Sequence, residues 1–142
     1  MTRVIVESPY HGDTSVEIID NIKYGRACLR DSLSRGEAPF ASHLFYTQPG
    51  VLRDAVGEEC WQGMEAGWAW MAAADLVVFY VDRGLSPGMK DGLDRALMLD
   101  LPIEFRRLPK LLTGTPVAVS SRPEATCSDE PETKDITALK AT

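Results

Sequence analysis

The stretch AADLVVFYVDRGLSPGMKDGLDRALMLDLPIEFR, residues 73–106, decides the fold. Leu76 to Val81 is a continuous apolar run with the length and the β-branched or aromatic content of a strand covered on both faces. It stops at Asp82, and a loop carrying Gly84 follows. Ser86-Pro87 then has the form of a helix N-cap with proline at the first helical position. Met89, Leu93, Ala96 and Leu97 recur at helical spacing until Pro102 ends the helix, and Ile103 to Phe105 begins another short strand. The unit is β-loop-α-β, with a carboxylate at the strand's carboxyl end. A helix start, bringing unpaired N–H groups and partial positive charge, is aimed into the same loop.

Upstream the same order repeats. Val4 to Glu7 is a first strand, broken at SPYHGD, residues 8–13, where Pro9 and Gly12 force an irregular turn. Thr14 and Glu17 have capping-box spacing, and Ile18, Ile19, Ile22, Leu29 and Leu33 mark an amphipathic helix that runs until Gly36. PFASHLFY, residues 39–46, reads as a second strand. EECWQGMEAGWAWMAAA, residues 58–74, reads as a helix with apolar residues on more than one face. Trp61, Met64, Trp68 and Met71 form one stripe, and Gly63, Gly67, Trp70 and Ala74 a second. One face packs on the sheet. The other either meets a second subunit, making a homo-oligomer, or reflects Trp70 as a large core residue.

This alternation predicts a single Rossmann-like α/β domain over residues 1–112. It has about four parallel strands in the flavodoxin-like order 2-1-3-4 and three α/β/α layers. Residues 113–142 contain no aromatic residue, three prolines and many Ser and Thr, the composition of a disordered tail. With 21 acidic against 15 basic residues the net charge is −6, which argues against a nucleic-acid partner held by a basic face. Cys28, Cys60 and Cys127 are widely spaced with no CxxC pair, so neither a metal site nor a disulfide framework is expected. MTRVIVESPY reads as a strand rather than a signal peptide, and no run approaches the ~20 apolar residues of a membrane span. A cytoplasmic protein with no membrane partner and no cofactor is the expectation.

In the 2-1-3-4 order, ligands bind outside the carboxyl ends of strands one and three. The loops SPYHGD and DRGLSPGM arrive there, so Tyr10, Gly12, Asp13, Asp82, Ser86, Gly88 and Met89 are candidates for one pocket, with His43 at the end of the second strand. Ser86 caps its helix and, in the same position, offers its hydroxyl to a phosphate. Glu65, alone among apolar neighbours, is a further carboxylate to consider. No GxGxxG follows the first strand.

These motifs resemble the nucleoside 2-deoxyribosyltransferase-like superfamily, which includes nucleoside 5′-monophosphate N-glycosidases. The likeness runs over about residues 3–106 and rests on SPYHGD, the pair Ala74-Asp75 before the third strand, Asp82 after it, and the loop-helix SPGMKDGLDRA. RGEAPFASHL and the S-GM block are similar to compact phage-type members. The resemblance implies a nucleotide or phosphorylated ribosyl ligand, a 5′-phosphate contact at Ser86, and hydrolase or transferase chemistry at the N-glycosidic bond. It also implies a nucleophilic Glu in a pattern G-x-x-x-E-x-G-x-A, and there the chain departs. From Gly88 to Ala96 the Glu position is Gly92, and the following Gly is Asp94. Asp91 replaces the Glu, or Glu65 or Asp82 supplies the carboxylate from another element, or the domain binds or senses a nucleotide-derived ligand without catalysis.

Overall fold

The computed structural model describes residues 1–53 and 57–110. The expected tail, residues 113–142, lies outside them. Met1–Lys110 forms one compact unit. Its elements are β1 (Arg3–Glu7), α1 (Ser15–Ser34), β2 (Ala38–Phe40), α2 (Ser42–Phe45), α3 (Gly57–Met71), β3 (Leu76–Tyr80), α4 (Pro87–Met98) and β4 (Ile103–Arg106). The strands are all parallel and lie in the order β2-β1-β3-β4, as expected from the sequence. Val4 to Glu7 pairs in register with Leu76 to Phe79, so the two central strands end side by side.

Alternation along the strands divides the core. Val4 and Val6 of β1 and Val78 and Tyr80 of β3 point to one face, against Tyr24 and Cys28 of α1. Ile5, Val77 and Phe79 point to the other, against Met71 of α3 and Met89 and Ala96 of α4. This alternation directs Glu7, two residues after Ile5, toward the α3 and α4 side at the carboxyl end of β1.

Two sequence expectations are corrected here. The second strand stops at Phe40, and residues 42–45 form the short helix α2. An edge strand with one neighbour has few ladder bonds to hold it, and Ala41 turns the chain into the helix instead. On α1, Ile19 and Leu33 are exposed, while Asn21, Tyr24, Gly25, Cys28 and Ser32 form the buried face. The polar members of that face are satisfied by specific bonds: Asn21 Nδ2 donates to the carbonyls of Tyr10 and His11, Tyr24 Oη to Asp82, and Ser32 Oγ to Glu37.

Asp75, half of the Ala74-Asp75 pair, binds Arg3 through both its backbone N–H and its guanidinium, at 2.7 to 3.1 Å. That pairing holds its carboxyl down at about 2 and ties the start of β3 to the start of β1. At the far edge Arg106, buried at the end of β4, forms two bonds to Glu37 at 2.7 and 2.8 Å and two to Glu104 at 2.8 and 2.9 Å.

Candidate functional site

A cavity of about 430 Å³ opens above the carboxyl ends of β1 and β3. The crossovers from these strands depart in opposite directions, which is the crevice where open α/β sheets bind ligands. The loop after β1 supplies one wall and α2 another, through Ser42 and His43. Gly63, Met64, Gly67 and Trp68 of α3 close the apolar side, and Ser86, Gly88, Met89 and Gly92 bring in the start of α4. The volume falls in the range that takes a small organic ligand, and a mostly apolar wall with a few polar groups is the usual composition.

The local sequence explains how each wall is held. Thr14 and Glu17 form the expected capping box, and Glu17 Oε2 also accepts from the N–H of Asp13 at 2.7 Å. Together with the two bonds from Asn21, this fixes the turn 8–13 on the start of α1. The loop after β3 is anchored from the same helix: Arg83 donates to Asn21 Oδ1 at 2.9 Å, pairs with Asp20, and lies over the Tyr24 ring at 4.6 Å. Gly84 turns this loop at φ 78°, a conformation that a side chain would strain. Ser86 is the N-cap of α4, accepting from Met89 N at 3.3 Å, and Pro87 opens the helix. On the α3 side a Cβ at Gly67 would stand 2.5 Å from Ser42 Oγ, so only glycine lets α3 approach α2 this closely.

Of the residues singled out from sequence, Tyr10, His43, Ser86, Gly88 and Met89 line this cavity. Met89 does so from within the core, where it is 1% exposed. Gly12 and Asp13 border a second, polar hollow with Asp20, Asn21 and Arg83, which shares only His11 with the first. Asp82, Glu65 and Asp91 line neither. Asp82 faces α1, where it accepts from Tyr24 Oη at 2.7 Å and Leu108 N at 3.0 Å. Burial opposes its charge, but these bonds hold its carboxyl below the usual range. Glu65 and Asp91 are on exposed faces of their helices.

The sequence reading missed Glu7 and Ser8. Ser8 Oγ lies 2.8 Å from His43 Nε2, and burial lowers His43 to about 4, so the imidazole is neutral at pH 7. Glu7, half-buried, has no hydrogen-bond or ion-pair partner among the described residues, and burial pushes its carboxyl up to about 8. A Cβ on Gly92 would sit 3.2 Å from both Cδ and Oε1 of Glu7. The period-two pattern of Val4-Ile5-Val6-Glu7 already carried the signal. A glutamate in phase with a buried isoleucine at a strand's carboxyl end faces the crevice.

Among the described residues no helix is long and apolar enough to cross a membrane, and no cluster of three or more His, Cys, Asp or Glu is arranged to hold a metal. A search among curated proteins finds no match to the chain. Among solved structures, the 2-deoxyribosyltransferase of the psychrotolerant bacterium Bacillus psychrosaccharolyticus superposes with a TM-score of 0.51 at 16% identity, covering 79% of this chain and 77% of that one. This likeness establishes a shared deoxyribosyltransferase-like, Rossmann-type fold. The model of one family, described as a domain of unknown function (DUF7768), matches residues 2–106, and the chain belongs to that family.

Proposed function

We propose that the cavity binds a nucleoside 5′-monophosphate or a related phosphorylated ribosyl ligand, and that the protein acts on its N-glycosidic bond. The observation that carries this reading is the convergence of Ser86 and Gly88, at the start of a 12-residue helix, with the walls of one cavity at the β1/β3 crevice. The helix start offers N–H donors and partial positive charge to a phosphate. Space at Gly88 is open: apart from its chain neighbours and the backbone of its own helix turn, no described atom lies within 4 Å of where its Cβ would be. Tyr10, Trp68 and Met89 line the cavity, and in this reading they contact the base or sugar. The fold shared with a deoxyribosyltransferase supports the same chemistry, and the resemblance to compact phage-type members suggests a role in phage nucleotide metabolism.

A second reading, a binder or sensor of such a ligand without catalysis, is favoured by one observation. Gly92 stands where the resemblance calls for a nucleophilic glutamate. The two are separated by incubating the protein with a panel of ribo- and deoxyribonucleoside monophosphates and measuring free base and retained nucleotide by mass spectrometry. Base release supports the enzyme; retention without release supports the binder; neither result leaves both without support. Ser86→Ala should weaken phosphate-bearing ligands by roughly 10- to 100-fold, the loss of about 1.5–3 kcal/mol for a hydrogen bond to a charged group. Free nucleosides should be little affected, and equal weakening of both classes would contradict the phosphate assignment.

Assembly is part of the proposal. Trp70 is 56% and Phe45 52% exposed, which argues against Trp70 as a core residue. Trp70 Nε1 donates to Tyr46 Oη at 2.9 Å, and its ring lies 5.5 Å from that of Phe40, making an outward aromatic patch. We expect light scattering to report a homo-oligomer that Trp70→Ala converts to monomer. A wild-type monomer would exclude this surface as a self-interface.

A further inference from the structure

We propose that Glu7 is the carboxyl group of the glycosidic reaction, acting as the acid that protonates the departing base and then as the base that takes a proton from water. The inference rests on the nucleotide reading above and names a residue for it. Three features of the geometry carry it.

First, Gly92 and Glu7 are complementary. The helix lacks a side chain where one would enter the cavity, and the carboxyl of Glu7 fills the space, with Oε1 at 3.2 Å and Oε2 at 3.6 Å from the Cβ that Gly92 does not have. Second, Glu7 is a cavity-lining carboxyl with no hydrogen-bond or ion-pair partner among the described residues. The other acidic candidates differ: Asp82 is engaged by Tyr24 and Leu108, and Glu59, which also borders the cavity, pairs with Arg53. A carboxyl kept in a crevice without a structural partner is available to a ligand. Third, the distance along α4 suits a mononucleotide. From Gly88 to Gly92 the helix rises roughly 6 Å. A ligand with its phosphate on the first turn and its length along α4 lays its sugar beside the second turn, next to Glu7.

The bond changes balance without a metal or redox partner. The C1′–N bond breaks and its electron pair goes to the base nitrogen, while a base ring nitrogen takes the Glu7 proton. The carboxylate so formed faces the positive charge developing at the sugar. A water oxygen bonds to C1′ and passes its proton to Glu7, which is restored. The products are free base and the phosphorylated sugar.

The protonation states agree. Burial leaves Glu7 largely protonated at pH 7, as an acid must be, and His43 neutral. The other titratable groups around the cavity are Tyr10, His11, Tyr46, Glu59 and Cys60.

The test measures base release and nucleotide retention together, for wild type, Glu7→Gln and Glu7→Asp, on the monophosphate panel. Glu7→Gln keeps the shape but has no proton to transfer. It should retain nucleotide and lose release by roughly 10²- to 10⁴-fold, with Glu7→Asp intermediate. Wild-type release should decline as pH rises through about 8, a readout that stands even if Glu7→Gln folds poorly. Release by folded Glu7→Gln at the wild-type rate, or a wild-type profile flat to alkaline pH, overturns the assignment. Wild-type retention without release also overturns it, while leaving the nucleotide pocket standing. Loss of both retention and release overturns the pocket reading with it.

Discussion

Glu7→Gln is expected to stabilise the protein at alkaline pH, by on the order of 4 kcal/mol at pH 9, and to change little at pH 4. In the folded chain burial raises the carboxyl from 4.5 to about 8. A group whose folded pKa lies above its unfolded value contributes its stability below the unfolded value and loses it as pH rises through the folded one. For Glu7 the loss runs from pH 4.5 to about 8. Beyond that, folding must bury a charge that no cation or donor among the described residues offsets. The full shift corresponds to about 5 kcal/mol at ~1.4 kcal/mol per unit, and water entering the cavity mouth keeps the effect somewhat below that. Glutamine does not titrate, so denaturant melts of the two proteins should coincide at acid pH and separate progressively to about pH 8. Parallel curves from pH 4 to 9 would mean that Glu7 is solvated like a surface carboxylate.

The same experiment bears on function without needing a substrate. A carboxyl that makes its own fold less stable at neutral and alkaline pH is an expected cost of a site held ready for chemistry, because stability and activity commonly conflict at such positions. Val6, its neighbour on β1, is fully buried and contributes in the ordinary way. One residue on, the strand gives up that contribution and points an acid into a crevice.

What the sequence made legible follows from which interactions are local. The strand order came from alternating elements and from crossover handedness, and it is the observed one. The Thr14 and Ser86 caps were readable because a cap is a bond within four residues. The buried face of α1 was not, because apolar periodicity marks Ile19 and Leu33, whereas the observed face is chosen by distant partners. Tyr24 reaches Asp82 and Asn21 reaches the loop after β1, and spacing reports neither. The sequence pattern puts His43 at a strand end, whereas it belongs to a short helix that carries it to Ser8, 35 residues away. Among the carboxylates, motif position favoured Asp82, Asp91 and Glu65, and all three lie off the cavity. The pleat of β1 pointed to Glu7, through the plainest regularity in the chain.

Arg106→Met should destabilise the fold by about 3–5 kcal/mol, the range for breaking a buried ion pair from one side. The Arg106 side chain is 6% exposed and that of Glu37 is 14% exposed, with the pair made through two bonds. Glu104 is 47% exposed, so it can turn to water when the arginine is removed. Glu37 has no such exit. Among the described residues it retains the Ser32 hydroxyl, at 2.6 Å, and the more distant charge of Arg35 against the burial of its own charge. In the native protein Arg106 holds Glu37 below the ordinary carboxylate pKa of 4.5, a contribution present above that value and lost as pH falls. The penalty of Arg106→Met should therefore be largest at neutral pH and shrink in acid, as Glu37 becomes protonated in both proteins. Replacing both partners, Arg106→Met with Glu37→Leu, should recover much of the loss, since an apolar pair of similar volume leaves no charge to desolvate. Chemical denaturation of the two variants at pH 7 and pH 4 measures all three expectations. A single mutant within about 1 kcal/mol of wild type at pH 7, the value of an exposed pair, would show that water reaches Glu37 and that the edge of β4 is not sealed.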